Sequence, residues 1–428
     1  MRTHLHRRAA TAVAATACLL ALAACASDEA ALDGSTAAAG AGDGDAAAGG
    51  TYTWWDPYPQ HEAGSDWQNR VEACADEAGV TIERTAYDTT ALTNQALLSA
   101  QEGTSPDIIL LDNPAVSTLA ETGIVTTVDE LGLDTSNIDP NLLAAGEVDG
   151  ETYGIPIGAN TLALYYNADV LSEAGVDPAS ITDWDSLTTA LQTVTEAGSE
   201  GITFSAIGTE EGSFQFLPWF WGAGADLTQL DSPEAVEALT LWTDWLEQGL
   251  APNTVITNSQ NTVWEEFLTG NFAFAENGTW QVNSALEADF ETGIIQIPGQ
   301  DGGVAPTPTG GEFLIAPVQE DTSRYEVTSQ IAECMTDTEG AVETATTFAY
   351  YIPPTEDGQE ALLSEDDSLQ PWVDAVRSAK GRTSDNLGTD YPIISEQLWT
   401  AVQQALSGSL SAEEALSQAQ TDASSEVG

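Results

Sequence analysis

Basic residues are scarce in this chain, which has nine lysines and arginines against 68 aspartates and glutamates in 428 residues. The formal net charge of −59 argues against nucleic acid as a partner, because phosphate contacts need clustered lysine or arginine. The acids are dispersed along the chain rather than grouped in blocks. We therefore interpret them as a soluble surface rather than as a site for a cationic substrate.

Histidine is almost as scarce, and His61 is the only one beyond the first six residues. One histidine gives little support for a Ser-His-Asp triad, a Cys-His pair or a histidine-rich zinc site. The sequence also lacks the GxxxxGK[ST] loop that binds phosphates. We expect no catalytic residues, no cofactor and no metal, although 68 acids leave a glycosidase with two carboxylates as an alternative.

A hydrophobic run long enough to span a bilayer is absent, since the uncharged run Ala9–Ala24 is too short. Arginines precede this run and the motif Leu22-Ala23-Ala24-Cys25 closes it, which is typical of a signal peptide that ends in a lipobox. We expect residues 1–24 to be removed and Cys25 to receive a lipid, with an uncleaved signal anchor as the alternative. Residues 25–50 are almost wholly small and polar, and they predict a flexible tether.

Cysteine is limited to four residues, of which Cys18 falls in the signal peptide and Cys25 in the lipobox. Cys74 and Cys334 remain, and each lies on an apolar stripe at helical spacing. An exported chain meets an oxidising compartment, where two remaining thiols often pair. The residues themselves leave open either a disulfide or two buried free thiols.

Strands alternate with helices at the start of the mature chain, which predicts a parallel α/β sheet. The predicted elements are a strand over Thr51–Asp56, a helix over Asp66–Ala78, a strand over Val80–Tyr87, a helix over Ala91–Gln101 and a strand over Asp107–Leu111. Further along, Ser232-Pro233-Glu234 has the composition of a helix start. Ser411 and Glu414 have the spacing of a capping box.

The most informative pattern lies between Asp149 and Asp169. Asp149-Gly150-Glu151-Thr152-Tyr153-Gly154-Ile155-Pro156 is followed by Leu162-Ala163-Leu164-Tyr165-Tyr166-Asn167-Ala168-Asp169. The order of this pattern with Pro106–Asp112, Phe267–Trp280 and Ile394–Trp399 resembles the extracellular solute-binding proteins of ABC sugar importers, of the maltose-binding-protein-like family. The resemblance extends from about Thr51 to Ala423 as spaced motifs.

The resemblance implies an α/β fold of two lobes, the type II periplasmic-binding-protein-like fold, with a hinge of three crossings. The crossings are expected near Gly158, near Gly311–Glu312 and near Asp367–Leu369. Lobe 1 would then comprise residues 51–157 plus 312–367, and lobe 2 residues 158–311 plus 368–423. In the family the helices carrying Cys74 and Cys334 both belong to the first lobe, which favours a disulfide between them.

The resemblance also implies a ligand site between the lobes. Carbohydrate sites need flat apolar faces for pyranose rings and planar polar groups for hydroxyls, and the chain has 12 tryptophans. For each of these tryptophans the alternative is a place in the core. The expected ligand-binding residues are Trp54, Trp55, Asp56, Asp112, Asn113, Asn160, Trp219, Trp221, Glu276, Trp280, Gly310, Gly311, Glu312 and Trp399.

We expect an exported, monomeric lipoprotein on the outer face of the cell membrane that captures a neutral mono- or oligosaccharide for an importer's permease. Basic residues that would grip a sugar acid are nearly absent, and Arg382 is the only one near a motif. A polyamine or other cation is the alternative ligand, because tryptophan and carboxylates can surround an ammonium group. The paired Tyr165 and Tyr166 could ligate iron, but their place in a crossing strand favours a structural role.

Overall fold

The computed structural model describes residues 50–346, 351–383 and 387–427. Apart from Gly50, the predicted signal peptide and tether, with Cys25, lie outside this described part. Within it, no helix combines the length and the apolar character that a membrane span needs.

Strands alternate with single helices over the first three strands, and longer runs of strands or of helices follow. The strands are β1 Thr51–Asp56, β2 Thr81–Ala86, β3 Ile108–Asp112, β4 Glu147–Val148, β5 Glu151–Thr152, β6 Ile155–Pro156, β7 Leu162–Asn167, β8 Glu200–Thr203, β9 Phe272–Gly278, β10 Thr292–Ile295 and β11 Glu312–Ile315. The helices are α1 Asp66–Glu77, α2 Thr89–Glu102, α3 Pro114–Glu121, α4 Val128–Leu131, α5 Pro140–Leu143, α6 Ala168–Ala174, α7 Trp184–Ala197, α8 Glu210–Gly222, α9 Pro233–Glu247, α10 Gln260–Phe267, α11 Val282–Leu286, α12 Tyr325–Thr336, α13 Thr338–Thr344, α14 Glu356–Glu365, α15 Gln370–Ser378, α16 Tyr391–Leu406 and α17 Ala412–Glu426.

Two larger sheets organise these elements. The first has the order β2-β1-β3-β11-β6, with β1, β2 and β3 parallel and β11 antiparallel between β3 and β6. The second has the order β10-β7-β9-β8, with β7 antiparallel to both β9 and β10. The chain therefore leaves the first sheet after β6, builds the second from β7 to β10, and returns at β11. This connectivity makes the first lobe discontinuous in sequence.

Local sequence signals account for several element boundaries. The five elements predicted from Thr51 to Leu111 are confirmed, each boundary lying within two residues of the prediction. β4 and β5 form a hairpin whose turn is Asp149-Gly150, both with positive φ, at 55° and 84°. Such a turn requires a left-handed backbone at both positions, and Asp-Gly supplies it at low cost.

Helix caps were also readable from the sequence. The Ser232 side chain accepts from the Ala235 amide and Pro233 occupies the first turn of α9, as predicted. Ser411 and Glu414 form a reciprocal capping box at the start of α17, again as predicted. These bonds satisfy amides that the first helical turn leaves without a backbone partner.

The first lobe buries an apolar core in which α1 and α12 pack together against the sheet. Cys74 on α1 and Cys334 on α12 are joined by a disulfide with Cα atoms 5.6 Å apart. On the neighbouring strand β2, Arg84 forms a buried ion pair with Asp56 at the end of β1. This lobe thus combines a covalent link with a buried ion pair.

The second lobe buries a larger core that is rich in aromatic rings. α16 packs on α17 and α8, so the C-terminal helices belong to this lobe. Trp219 stacks edge-on against Trp245 with ring centroids 5.1 Å apart, and Phe204 lies 4.1 Å from Trp242. Removing these large aromatic surfaces from water stabilises the lobe.

Three backbone segments lie side by side at the hinge. Asn160 and Gly310 exchange both backbone hydrogen bonds, and so do Ala159 and Ile352. The predicted third crossing, Asp367–Leu369, is a 3-10 turn between α14 and α15. Both of those helices contribute to a cluster that includes Tyr165 of β7, so the lobe boundaries in this part of the chain stay a prediction.

Candidate ligand-binding site

A cleft of about 640 Å³ opens at the hinge, where the ends of both sheets meet. This volume lies within the range of roughly 300 to 1,000 Å³ that is usual for small-molecule sites. Its lining comes from both lobes and comprises Pro57, Tyr58, Pro59, Gln60, His61, Asp88, Thr89, Asp112, Asn160, Thr209, Glu210, Glu211, Phe214, Gln260, Asn261, Trp280, Gln281, Gly310, Gly311, Glu312, Tyr351 and Arg382.

A charged network forms the floor of the cleft. The guanidinium of Arg382 donates to both oxygens of Asp112, at 2.9 and 2.5 Å, and to Glu210 Oε1 at 2.7 Å. The Tyr391 hydroxyl donates to the same Glu210 oxygen at 2.6 Å. Burial opposes the charge of Arg382, but the two carboxylates outweigh it and raise its pKa well above the ordinary value. Arg382 is therefore charged. Its charge is balanced by Asp112 from the first lobe and by Glu210 from the second.

A second network surrounds Glu312, at the start of β11. The Tyr351 hydroxyl donates to its carboxylate, and the hydroxyls of Tyr351 and Tyr58 lie 2.6 Å apart. Burial raises the pKa of Glu312 to about 7, and the charge of Asp112 adds to this effect. Hydrogen bonds from both tyrosines and the charge of Arg382 act in the opposite direction. The cleft thus contains a carboxyl that titrates near neutral pH.

The second lobe supplies an aromatic face. Trp280 is half-buried, and its ring centroid lies 6.4 Å from that of Phe214. The guanidinium of Arg382 lies over the Phe214 ring at 4.9 Å. The indole of Trp280 covers Gly278, where an added Cβ would come within 2.1 Å of it. A glycine at that position is therefore what allows the tryptophan to fold back toward the cleft.

Six of the residues expected from the sequence line the cleft. They come from the end of β3, the first crossing, the turn after β9 and the second crossing. Amide and carboxylate groups stand beside the indole, which is the combination of planar polar groups and apolar faces expected for a sugar site. The six residues are Asp112, Asn160, Trp280, Gly310, Gly311 and Glu312.

The expected residues at the end of β1 lie elsewhere. The Asp56 carboxylate is fully buried and accepts from the indole nitrogens of Trp54 and Trp67, at 2.9 and 3.0 Å, besides its pair with Arg84. Trp54 is fully buried in the first core, and Trp55 packs on a separate cluster of this lobe. None of these three residues lines the cleft of this structure, and Arg84 and the two indoles hold the Asp56 carboxylate inside the lobe. Their contact with a ligand stays a prediction.

The expected residues Trp219, Trp221 and Glu276 are also buried, in the second core. Trp219 Nε1 donates to Glu276 Oε2 at 2.8 Å, and burial raises the pKa of Glu276 well above its ordinary value. Within the described structure no cation pairs with this carboxyl. These three side chains hold the lobe together and do not line the cleft.

Two further expected residues do not line the cleft. Asn113 is buried and its amide donates to the backbone oxygens of Thr309 and Gly311, at 3.3 and 3.1 Å. It therefore fixes the second crossing rather than a ligand. Trp399 is half-buried on α16 and is absent from the cleft lining.

Sequence reasoning missed several lining residues. Tyr58 follows the predicted strand end by two positions, in the loop that carries the chain over the cleft. Phe214 and Glu210 lie on α8, on the N-terminal side of the expected residues Trp219 and Trp221. Tyr351 comes from the third hinge segment. Arg382 was noted only as a basic residue near a motif, and no local pattern shows that it reaches Asp112.

The suspected iron ligands have structural roles. Tyr165 is buried, and its hydroxyl donates to the Gly278 carbonyl at 2.9 Å. Tyr166 packs against the second core. Among the described residues, no group of three histidines, cysteines, aspartates or glutamates is placed to hold a metal ion.

Comparison with known proteins identifies the class. The model of the bacterial extracellular solute-binding protein family matches residues 69–371, well over half of the chain. The chain belongs to this family. Its members bind solutes outside the cell and are not enzymes, which argues against the glycosidase alternative.

Individual relatives are more distant. A maltotriose-binding protein of Pyrococcus abyssi is 27% identical over 241 residues, which are 52% of this chain and 49% of the relative. The chain spans 49–59% of the length of the first curated relatives it matches.

Solved structures show the same fold over a longer stretch. Maltose-bound MalE3 of T. maritima has a TM-score of 0.78 at 19% identity, covering 88% of this chain and 100% of that one. An ABC transporter solute-binding protein of Thermotoga lettingae, bound with alpha-D-tagatose, has a TM-score of 0.77 at 22% identity, with the same two coverages. At these identities the likeness concerns the fold, which is of the two-lobe, maltose-binding-protein-like type.

Proposed function

We propose that this protein is the receptor of an ABC sugar importer, and that it captures a neutral mono- or oligosaccharide between its lobes and delivers it to the permease. The observation that carries this proposal is the cleft itself. Trp280 presents a partly exposed indole beside the amides of Asn160 and Gln281. Stacking on sugar C–H faces and hydrogen bonding to hydroxyls need this combination of groups.

The charge distribution of the cleft supports a neutral solute over an anionic one. Among the described residues of the lining, Arg382 is the only lysine or arginine, and its guanidinium already holds Asp112 and Glu210. A phosphate or sugar acid would therefore meet no lysine or arginine there that is not already paired. The similar maltotriose-binding protein and the similar structures bound with maltose and with tagatose are consistent with the same proposal.

We also propose that Cys25 carries the lipid anchor, that the tether of residues 25–50 holds the folded body away from the outer face of the membrane, and that the receptor is a monomer. A flexible coil of about 25 residues has a mean reach of roughly 25 to 30 Å. Mass spectrometry of the membrane-associated protein tests the anchor. A diacylglyceryl adduct on Cys25 is expected, and Cys25→Ala should release the protein from the membrane.

A cationic solute is a second candidate, favoured by the acids in the cleft. Asp88, Asp112, Glu210, Glu211 and Glu312 all line it, against a single Arg382. Two of these carboxylates are occupied by Arg382, and Asp88 caps α2. The free negative charge facing a ligand is therefore smaller than the residue count indicates.

Calorimetric titration of the purified protein tests the proposal directly. Maltotriose, maltose and tagatose form the neutral panel, and spermidine represents the cations. We expect saturable binding of a neutral sugar that is insensitive to salt. Spermidine binding that weakens as salt is added would instead support the second candidate, because only charge pairing is screened.

A further inference from the structure

Two carboxylates face each other at the floor of the cleft. Asp112 ends β3 and Glu312 begins β11, and the antiparallel register pairs them directly. Both line the cleft. Like charges at opposed positions of neighbouring strands repel each other, so this geometry disfavours the state in which both are ionised.

The surroundings of the two carboxyls differ, and they favour protonation at Glu312. Asp112 receives two hydrogen bonds from the guanidinium of Arg382, so its carboxylate is paired with a cation. Arg382 is also held by Glu210, so that its charge is shared. Glu312 is contacted instead by the neutral phenols of Tyr351 and Tyr58.

The other titratable neighbours do not change this assignment. His61 lies on the loop that follows β1 and lines the cleft with Tyr58. Burial first, then the charge of Arg84, lowers the pKa of His61, so near neutral pH it adds no positive charge. The pKa of Glu312 itself is raised to about 7.

We propose that Glu312 couples solute binding to pH: its protonated form is the one that binds a neutral solute, and solute affinity falls as this carboxyl ionises. This inference rests on the proposed function for the neutrality of the solute. A neutral guest that fills the cleft displaces water from the carboxyl and so disfavours its charged form. Binding therefore takes up a proton, and by reciprocity protonation strengthens binding.

The sign of the pH dependence also reports on the class of solute. With a neutral sugar, affinity is highest below the pKa of Glu312 and declines above it. A cation would show the reverse, because the ionised carboxylate attracts it. The direction of the slope therefore separates the two candidate functions without any change to the protein.

The first arm of the test measures maltotriose binding to the full-length protein between about pH 5.5 and 8.5. Above neutrality we expect the dissociation constant to rise, with a limit of about tenfold per pH unit for one proton. Glu312→Gln, which keeps the size and stays neutral, should flatten this slope and retain the affinity seen at low pH. Glu196→Gln, which removes a carboxylate from the exposed face of α7 outside the cleft lining, should keep the slope. A slope that survives Glu312→Gln would overturn the inference.

The second arm needs no ligand. The carboxyl carbon signal of Glu312 is assigned by its loss in Glu312→Gln, and its chemical shift is followed against pH by carbon-13 NMR. A midpoint near 7 supports the inference, whereas a midpoint in the ordinary glutamate range, about 4 to 5, overturns it whether or not maltotriose binds. A midpoint near 7 with spermidine affinity that rises with pH would refute the neutral sugar and leave the titration of Glu312 standing.

Discussion

Both lobes bury a carboxylate, but the side chains that surround the buried carboxylate differ between them. The stretch 158–311, which builds most of the second lobe, contains no lysine, arginine or histidine. The first lobe has Arg84 paired with buried Asp56. A buried carboxylate beside a cation has its charge paired and can organise several donors around it.

Glu276 shows the other outcome. It is as buried as Asp56, yet its hydrogen-bond partner is the indole of Trp219 and burial raises its pKa well above the usual range. Burial without a cation favours the neutral form of an acid, because the charged form loses its hydration. The second lobe then depends on aromatic packing, whereas the first depends on an ion pair and a disulfide. The following substitutions test this contrast.

Trp219→Ala should have the largest effect. The change opens a cavity in the aromatic core and removes the donor to Glu276, so we expect a loss of about 3 to 5 kcal/mol in the free energy of unfolding. Urea denaturation followed by circular dichroism measures it. A loss below about 1 kcal/mol would show that the second lobe does not depend on this core.

Asp56→Ala should cost nearly as much in the first lobe, about 3 to 5 kcal/mol, because Arg84 is left buried without its partner. Denaturation in urea again provides the measurement. Asp289→Ala is the matched control, since Asp289 is exposed on the second lobe and its loss should change stability by less than about 0.5 kcal/mol. Equal effects at the two positions would contradict the role assigned to Asp56.

Replacing both Cys74 and Cys334 by serine should cost about 2 to 4 kcal/mol, because the bond closes a long loop between residues 260 positions apart. Thermal melting with and without a reducing agent gives the same comparison on the unchanged protein. Reduction should lower the melting temperature of the native chain and leave that of the double variant unchanged. If it lowers neither, the two cysteines are not paired in solution.

Gly311→Ala tests the hinge that joins the lobes. Gly311 has φ 115°, and an added Cβ would lie 2.5 Å from the Gly158 carbonyl oxygen. We expect a cost of about 1 to 3 kcal/mol together with weaker ligand binding. Gly303→Ala is the control, since its φ is also positive but no atom lies within 4 Å of the added Cβ. Equal costs would mean that backbone strain alone, and not the close approach of the two crossings, explains the effect.

Trp280→Ala should have the smallest effect on the fold and a clear effect on binding. The indole is half-buried at the cleft, so its loss should weaken sugar affinity about 10-fold, the equivalent of roughly 1 to 2 kcal/mol of ring stacking. Titration calorimetry and thermal melting are measured on the same variant. A large drop in melting temperature with unchanged affinity would place Trp280 with Trp219 among the core residues.

Much of the fold could be predicted from the sequence. The alternation that begins at Thr51, the Asp149-Gly150 turn and the Ser411 and Glu414 capping box are local signals. The site was predicted only in part, because the same pattern of tryptophan and carboxylate at a strand end occurs at Trp54 and Asp56 and again at Trp280. Arg84 lies 28 positions beyond Asp56, and no sequence pattern around Asp56 indicates that the two side chains are in contact.

The sequence by itself determined the first strands and helices, several turns and caps, and the scarcity of cations, because periodicity, turn chemistry and composition are properties of short stretches of chain; the two-lobe fold followed from the resemblance of its spaced motifs to a known family. Only the tertiary structure decided which tryptophans reach the cleft, which acids are paired, and that Asp112 faces Glu312 across two strands. Those outcomes depend on strand register and on partners distant in sequence. The three-dimensional neighbours of a side chain determine whether it is buried and what it pairs with. The same residue type can therefore pack in the core at one position and line the ligand cleft at another.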